Sequence, residues 1–312
     1  MRIYRHFETL PAEARGAAIA IGNFDGVHRG HQAVIGEAGR IARAAKLPWA
    51  VLTFEPHPRR VFQPDLPPFR LTPFRTKARV LEGLGVDAMI VQRFNRAFSQ
   101  RPAEDFVREV LVKGFGARHI VAGYDFVFGY KRGGNCELLL TMGKQLGFGF
   151  TAVSAVDDGT GAVYSSTRIR EYLAAGDVKG AAAVLGRPFE IEGRVAHGDK
   201  RGRSIGFPTL NLHLGTAARP ALGVYAVRIG RLVEGRAEWI DGVANIGLRP
   251  TFGGDDIVLE AHAFDFEGDL YSQLISVALI EYIREEKKFD GLAALQAQIA
   301  ADCLTARRFL KK

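Results

Sequence analysis

The stretch Gly22-Asn23-Phe24-Asp25-Gly26-Val27-His28-Arg29-Gly30-His31 decides how the first half of this chain folds. It follows an apolar run over residues 17–21, which reads as a buried parallel strand. It precedes residues 32–45, where Val34, Ile35, Ala38 and Ile41 recur at helical spacing. The order is strand, tight glycine loop, helix. At the start of such a helix the orphan backbone N–H groups and the positive dipole end form an anion site, and phosphate is the natural guest. His28 and His31 are three apart, so a first helical turn projects both imidazoles to one side, while Gly30 between them removes a side chain from the approach. A structural turn is the plain alternative. Zinc would need a third ligand that the stretch lacks.

Working outward, 312 residues suffice for two domains with separate cores, and 47% hydrophobic with 24% charged residues is an ordinary globular composition that argues against disorder. The first residues carry no apolar signal region, and no run of about 18 apolar residues occurs, so a cytoplasmic protein without membrane contact is expected. Cys136 and Cys303 are the only cysteines, too few for a disulfide framework or a Cys-based metal site. The net charge of +8 is uneven: residues 1–186 hold 25 Lys/Arg against 17 Asp/Glu, and residues 187–312 hold 17 of each. The excess therefore sits with the phosphate loop. No basic stripe or recognition-helix pattern points to nucleic acid.

Further strands are expected over residues 48–54, 87–91, 118–121 and 148–153, with a helix over 103–112, an alternation that favours a doubly wound parallel sheet. The turn Glu55-Pro56-His57-Pro58-Arg59-Arg60 closes the second strand, either as a rigid connector or at the strand end where ligands bind in open sheets. Residues 63–76 contain Pro64, Pro67, Pro68 and Pro73, which predicts a long exposed loop. In Gly123-Tyr124-Asp125-Phe126-Val127-Phe128-Gly129-Tyr130-Lys131-Arg132, rings and cations suit a planar ligand carrying phosphate, or simply core plus turn. Ser165-Ser166-Thr167-Arg168-Ile169-Arg170 places an N-cap before a helix, and Arg168 in the first turn suits a bound anion.

Gly186 and Arg187-Pro188 mark a boundary, after which the pattern changes to short alternating strands over 189–195, 223–229, 238–244, 257–264 and 274–282. This predicts a small antiparallel barrel, closed by an amphipathic helix over 292–309. Gly198-Asp199-Lys200-Arg201-Gly202-Arg203 reads equally as a solvated turn or a flap over phosphates. In Gly206-Phe207-Pro208-Thr209-Leu210-Asn211, an extended backbone turns Thr209 and Asn211 to one side, offering the hard oxygen ligands that Mg²⁺ takes beside nucleotide phosphates. Glu260 is a carboxylate in the apolar strand Ile257-Val258-Leu259-Glu260-Ala261-His262. It reads as a surface charge or as a base.

Asn23-Phe24-Asp25-Gly26-Val27-His28-Arg29-Gly30-His31 resembles the His-x-Gly-His signature of nucleotidyltransferases, in the form found in bacterial bifunctional riboflavin kinase/FMN adenylyltransferases. Ser165-Ser166-Thr167-Arg168-Ile169-Arg170 is similar to that family's Ser-Ser-Thr-x-Ile-Arg motif, and Gly123 to Gly129 to its Gly-x-Asp-Phe-x-Phe-Gly segment, where some members carry Asn at Asp125. Pro208-Thr209-Leu210-Asn211 resembles the kinase Pro-Thr-Ala-Asn motif with Leu210 for alanine. The motif spanning Gly242 to Thr251 also matches, as does Asp269-Leu270-Tyr271, with Ser272 for the usual glycine.

The resemblance implies a Rossmann-like nucleotidyltransferase domain with a parallel sheet over residues 1–186, then a riboflavin kinase β-barrel with a C-terminal helix over 187–312. It implies phosphorylation of riboflavin to FMN, then adenylylation of FMN to FAD, with ATP and Mg²⁺. His28, His31, Arg168 and Glu260 are the implied catalytic residues. Gly22, Asn23, Phe24, Asp25, Gly30, Asp125, Ser166, Thr167, Gly198, Lys200, Arg201 and Gly206 would bind nucleotide. Phe62, Phe106, Phe128 and Arg249 would bind flavin, and Thr209 and Asn211 metal. The expected partners are these small molecules, with no nucleic acid or membrane, in a monomer or weak homo-oligomer. A runner-up makes the barrel a flavin-binding module without catalysis. A third possibility, an RNA-binding protein, predicts salt-sensitive RNA retention that ATP does not compete away.

Overall fold

Alternation of apolar strands with amphipathic helices builds a parallel sheet, and the switch to short two-faced strands builds an antiparallel one. The structure is a computed structural model that describes residues 1–196, 206–233, 236–251 and 254–311. The chain forms two compact units, Met1–Pro67 with Thr72–Ser165, and Pro68–Leu71 with Ser166–Lys312.

In the first unit the order is β1 (Arg2–Arg5), β2 (Ala18–Ile21), α1 (Arg29–Ala45), β3 (Trp49–Glu55), α2 (Pro58–Phe62), α3 (Phe74–Gly83), β4 (Ala88–Arg93), α4 (Arg96–Ser99), α5 (Ala103–Asp105), β5 (His119–Gly123), α6 (Cys136–Leu146) and β6 (Gly149–Val153). The strands pair in parallel in the order β1-β4-β3-β2-β5-β6. Side chains alternate across this sheet, so Ile19, Ile21, Leu52 and Ile90 pack into one layer with Phe115 and Leu139. Ala18, Ala20, Val51 and Met89 pack into the other with Ile35, Ala38 and Leu81. Each fully buried branched side chain in these layers contributes about 2 kcal/mol. The chain steps from β2 through β3 to β4 and then returns to β5 on the other side of β2. In open sheets of this kind ligands bind beyond the carboxyl ends of the strands at such a reversal, which here falls between β2 and β5.

Three features differ from expectation. β1 is an added edge strand, mostly exposed, whose Arg2 and Arg5 hid it from an apolar pattern. The helix expected over 103–112 is a short α5 that runs on as a π-helix over Phe106–Gly114. The loop expected to be exposed is largely buried at Phe69, Arg70, Leu71 and Thr72, and α3 begins within it. The prolines bar regular pairing, but the backbone finds other partners. Arg70 N–H donates to the Thr216 carbonyl at 3.1 Å, and Thr72 N–H donates to Asp25 Oδ1 at 3.0 Å.

The second unit contains α7 (Ser166–Ala174), α8 (Val178–Leu185), β7 (Phe189–Arg194), β8 (Leu210–His213), β9 (Gly223–Val233), β10 (Arg236–Thr251), β11 (Gly254–Ala263), β12 (Leu274–Arg284) and α9 (Leu292–Leu310). Its strands are antiparallel in the order β7-β12-β9-β10-β11-β8. A bridge between Ala196 and Asn211 joins the two edges, so the sheet curls almost into a barrel. α9 covers Val224, Ala226, Val243 and Phe264 with Ala306 and Leu310.

Candidate active sites

β2 ends at Ile21, and the loop that follows folds under the start of α1. His28 is the N-cap of α1 rather than part of its first turn, with Nδ1 accepting from the His31 backbone N–H at 3.3 Å. Its ring stacks on that of His31, centroids 3.6 Å apart and planes 21° apart. The capping bond makes Nδ1 the acceptor, so neutral His28 carries its proton on Nε2. A Cβ on Gly30 would lie 3.2 Å from the His28 ring and 3.4 Å from the Tyr164 carbonyl, which is why glycine stands between the histidines.

Behind the pair, Phe24 meets His31 edge-on at 5.3 Å and is itself buried, so its side chain supports the histidine. Phe24 and Val27 hold positive φ values of 47° and 45°, backbone strain of the kind that concentrates at working sites. Asp25 is buried on the Thr72 amide, and the Gly26 N–H donates to Thr72 Oγ1 at 2.8 Å. Lys77, 0% exposed, donates to the Asn23 carbonyl at 2.7 Å and to Thr53 Oγ1 at 3.0 Å, with Glu55 Oε1 at 3.7 Å. Burial, then the positive charges of His28 and Lys77, hold the His31 imidazole well below its usual value near 6.5. The Nδ1 of His31 is buried without a hydrogen-bond partner among the described residues. Sequence reasoning missed Thr72 and Lys77. A lysine one helical turn before buried Leu81, on the apolar stripe of α3, was the available signal.

Phe62, Phe106 and Phe128 come together through Phe94 and Phe98, two rings the sequence had not singled out. Centroid distances run 5.7 Å from Phe62 to Phe94, 5.9 Å to Phe98, 6.2 Å to Phe106 and 5.4 Å to Phe128. Phe62 is 52% exposed, whereas Phe106 and Phe128 are 4% and 8% exposed. One end of the row therefore offers a ring face and the other forms a wall. Asp125 lies exposed in the turn after β5.

In the second unit Ser166 opens α7. Arg168 Nη2 donates to the Tyr172 hydroxyl at 3.2 Å, with the guanidinium 5.5 Å from that ring. In the barrel, Asn211 on β8 pairs with Glu260 on β11, and Glu260 pairs with Asn245 on β10. Residues directly opposite across antiparallel strands share a face with Cβ atoms about 5 Å apart, so Asn211, Glu260 and Asn245 form a polar row. Asn245 Nδ2 donates to Glu286 Oε1 at 3.2 Å. Asn211 is 5% exposed, and its Oδ1 has no hydrogen-bond partner among the described residues. A buried amide oxygen without a donor suits a cation, and half-buried Thr209 lies two residues before it. No cluster of three His, Cys, Asp or Glu among the described residues could hold a metal, so neutral oxygens and ligand phosphates would have to do so. His262 Nδ1 donates to the Pro208 carbonyl at 2.9 Å, tethering the segment that leads to Thr209. Gly206 is exposed with φ at +87°. Gly198, Lys200 and Arg201, with the side chain of Arg249, lie outside the described residues.

Comparison with known proteins matches a family described as FAD synthetase over residues 10–168 and one described as riboflavin kinase over residues 185–310. The bifunctional riboflavin kinase/FMN adenylyltransferase of Escherichia coli K12 is 43% identical over 310 residues, 99% of this chain and 98% of that one. The enzyme of the same name from Haemophilus influenzae is 41% identical over 314 residues, 99% of each. A crystal structure named for a macrolide-efflux protein from Streptococcus pneumoniae superposes with a TM-score of 0.85 at 31% identity, covering 98% of this chain and 99% of that one. Among the described residues no helix is long and apolar enough to cross a membrane. With both domain families in the same order and relatives aligned from end to end, this chain belongs to the bifunctional riboflavin kinase/FMN adenylyltransferase family.

Proposed function

We infer that the chain makes FAD from riboflavin in two ATP-dependent steps, one in each unit. The observation that carries this assignment is the full-length match to the bifunctional enzymes, joined to a distinct polar site in each unit. In the barrel, the ribityl 5′-hydroxyl of riboflavin attacks the γ-phosphorus of ATP. The hydroxyl proton passes to Glu260, and ADP leaves. Thr209 and Asn211 would hold Mg²⁺, in keeping with the undonated Asn211 oxygen. The ion, when bound, neutralises phosphate charge. Gly198, Lys200, Arg201 and Gly206 are assigned to ATP in this unit, and Arg249 to the flavin.

In the first unit, a phosphate oxygen of FMN attacks the α-phosphorus of ATP and pyrophosphate leaves. The second pKa of such a phosphate lies near 6, so it is largely dianionic at neutral pH and needs no protein base. Catalysis then consists of positioning and charge stabilisation. Nε2–H of His28 and the neutral imidazole of His31 donate to the α-phosphate oxygens as charge grows there. Gly22, Asn23, Asp25 and Gly30 shape the nucleotide loop. Ser166, Thr167 and Arg168 are assigned to the departing phosphates, Asp125 to the nucleotide, and Phe62, Phe106 and Phe128 to the isoalloxazine. Small molecules are the only partners required, and a cytoplasmic monomer or weak homo-oligomer is the proposed setting. Incubation with riboflavin, ATP and Mg²⁺, resolved by chromatography, should show FMN and then FAD. No turnover of either compound would overturn the assignment.

A further inference from the structure

We propose that Lys77 is a positioning residue for adenylyl transfer, its buried ammonium holding the Asn23 carbonyl from below and, through Phe24, the stacked rings of His31 and His28. The inference rests on the assignment of His28 and His31 to that reaction. A fully buried ammonium is a poor choice for stability alone, since an apolar side chain of like volume avoids the desolvation cost. Its partners include the loop and the strand end beside it. Lys77 donates to the Asn23 carbonyl and to Thr53 Oγ1, and the Thr53 hydroxyl in turn donates to the same Asn23 carbonyl at 3.1 Å. Both acceptor positions of that carbonyl are thereby engaged. The next residue, Phe24, takes a left-handed conformation with φ of 47°, one that costs a non-glycine residue and needs support from its surroundings, and its ring edge meets His31.

The same ammonium acts through charge. The groups that act on His31 by charge are His28 at the cap and Lys77 on α3; Lys77 has Glu55 Oε1 at 3.7 Å, and Asp25, in the same loop as the histidines, accepts from the Thr72 amide. Lys77 favours the neutral form of His31 and places a fixed positive charge beneath a loop that receives a polyphosphate.

The test compares Lys77→Met, Lys77→Arg and Thr53→Val. FAD formation from supplied FMN and ATP is measured from pH 5 to 8, alongside thermal unfolding and riboflavin phosphorylation by the same samples. Lys77→Met should lower kcat for FAD formation by about 100-fold, the loss typical of a catalytic group misplaced by a remote substitution. With the neighbouring charge gone the His31 imidazole should take its proton at higher pH, read from its ring resonances in a titration of the protein without FMN, whose phosphate titrates in the same range. Lys77→Arg should keep the His31 titration of the parent. Thr53→Val should lose a few-fold in kcat with the His31 titration unmoved, because the charge remains. A folded Lys77→Met with kcat within a few-fold of the parent, or with an unmoved His31 titration, overturns the proposal. If Lys77→Met does not fold, unchanged kcat in Thr53→Val overturns it instead. A His31→Ala protein with full FAD formation would overturn the underlying site assignment, an outcome that Lys77 variants cannot mimic.

Discussion

At the scale of the residue, the two reactions pose different proton problems, and the side chains differ accordingly. An FMN phosphate arrives already ionised, so the role proposed for His28 and His31 is donation to the reacting phosphate. His28→Ala or His31→Ala should cut FAD formation by about 10²- to 10³-fold while riboflavin phosphorylation stays intact, read from FMN and FAD peaks in one reaction. Because His31 is held well below 6.5, it is neutral at pH 7, and the fall of FAD formation on acidification should follow the FMN phosphate, whose second pKa lies near 6, in a profile of rate against pH. An alcohol, by contrast, must lose a proton, and Glu260→Gln should lower riboflavin phosphorylation by about 10²- to 10⁴-fold and spare adenylylation of supplied FMN. Asn211→Ala should raise the Mg²⁺ concentration needed by the kinase step alone, and an unchanged titration would remove Asn211 from the metal. His28, His31 and Asn211 could be singled out because each sits in a short motif, and Glu260 because a carboxylate interrupts an apolar strand. Lys77 and Thr72 could not, since their meaning lies in partners far along the chain; Lys77 reaches an atom 54 residues away.

At the scale of the element, α9 is held to the barrel by a buried ion pair as well as by apolar packing. Arg284 on β12 binds Asp302 through Nε at 3.0 Å and Nη2 at 2.6 Å, and Gln298 Nε2 adds a third donor at 2.9 Å. Asp302→Ala would leave the Arg284 charge without its partner in a mostly buried place, and should cost about 3 kcal/mol, read as a lower denaturant midpoint for the second unit. The amphipathic pattern announced α9, but the acid on its inner face had no visible purpose until β12 was placed beside it. Strand lengths show the same limit. The expected strand over 238–244 extends as β10 to Thr251 through Gly247 and Pro250, residues that read as breaks. Pairing with β9 ends at Ile246, and pairing with β11 carries the strand on past both of them. β8 has only four residues and is defined by its pairing with β11.

At the scale of the molecule, each unit has its own core, and the two proposed reactions are linked by a compound that one makes and the other consumes. FMN is small, carries two negative charges near neutral pH, and dissolves freely. Nothing in the proposed chemistry requires the two steps to occur in the same copy of the chain. A Glu260→Gln protein should convert FMN but not riboflavin, and a His31→Ala protein should convert riboflavin but stop at FMN. Mixed in equal amounts with riboflavin, ATP and Mg²⁺, the two should restore FAD formation after a lag in which FMN accumulates, and the lag should shorten as the His31→Ala protein is increased. Chromatography over time checks both features. Failure of the mixture, when each variant still performs its own half-reaction, would mean that FMN made by the barrel is not delivered to a second molecule, and the two steps would then have to be read as one coupled process.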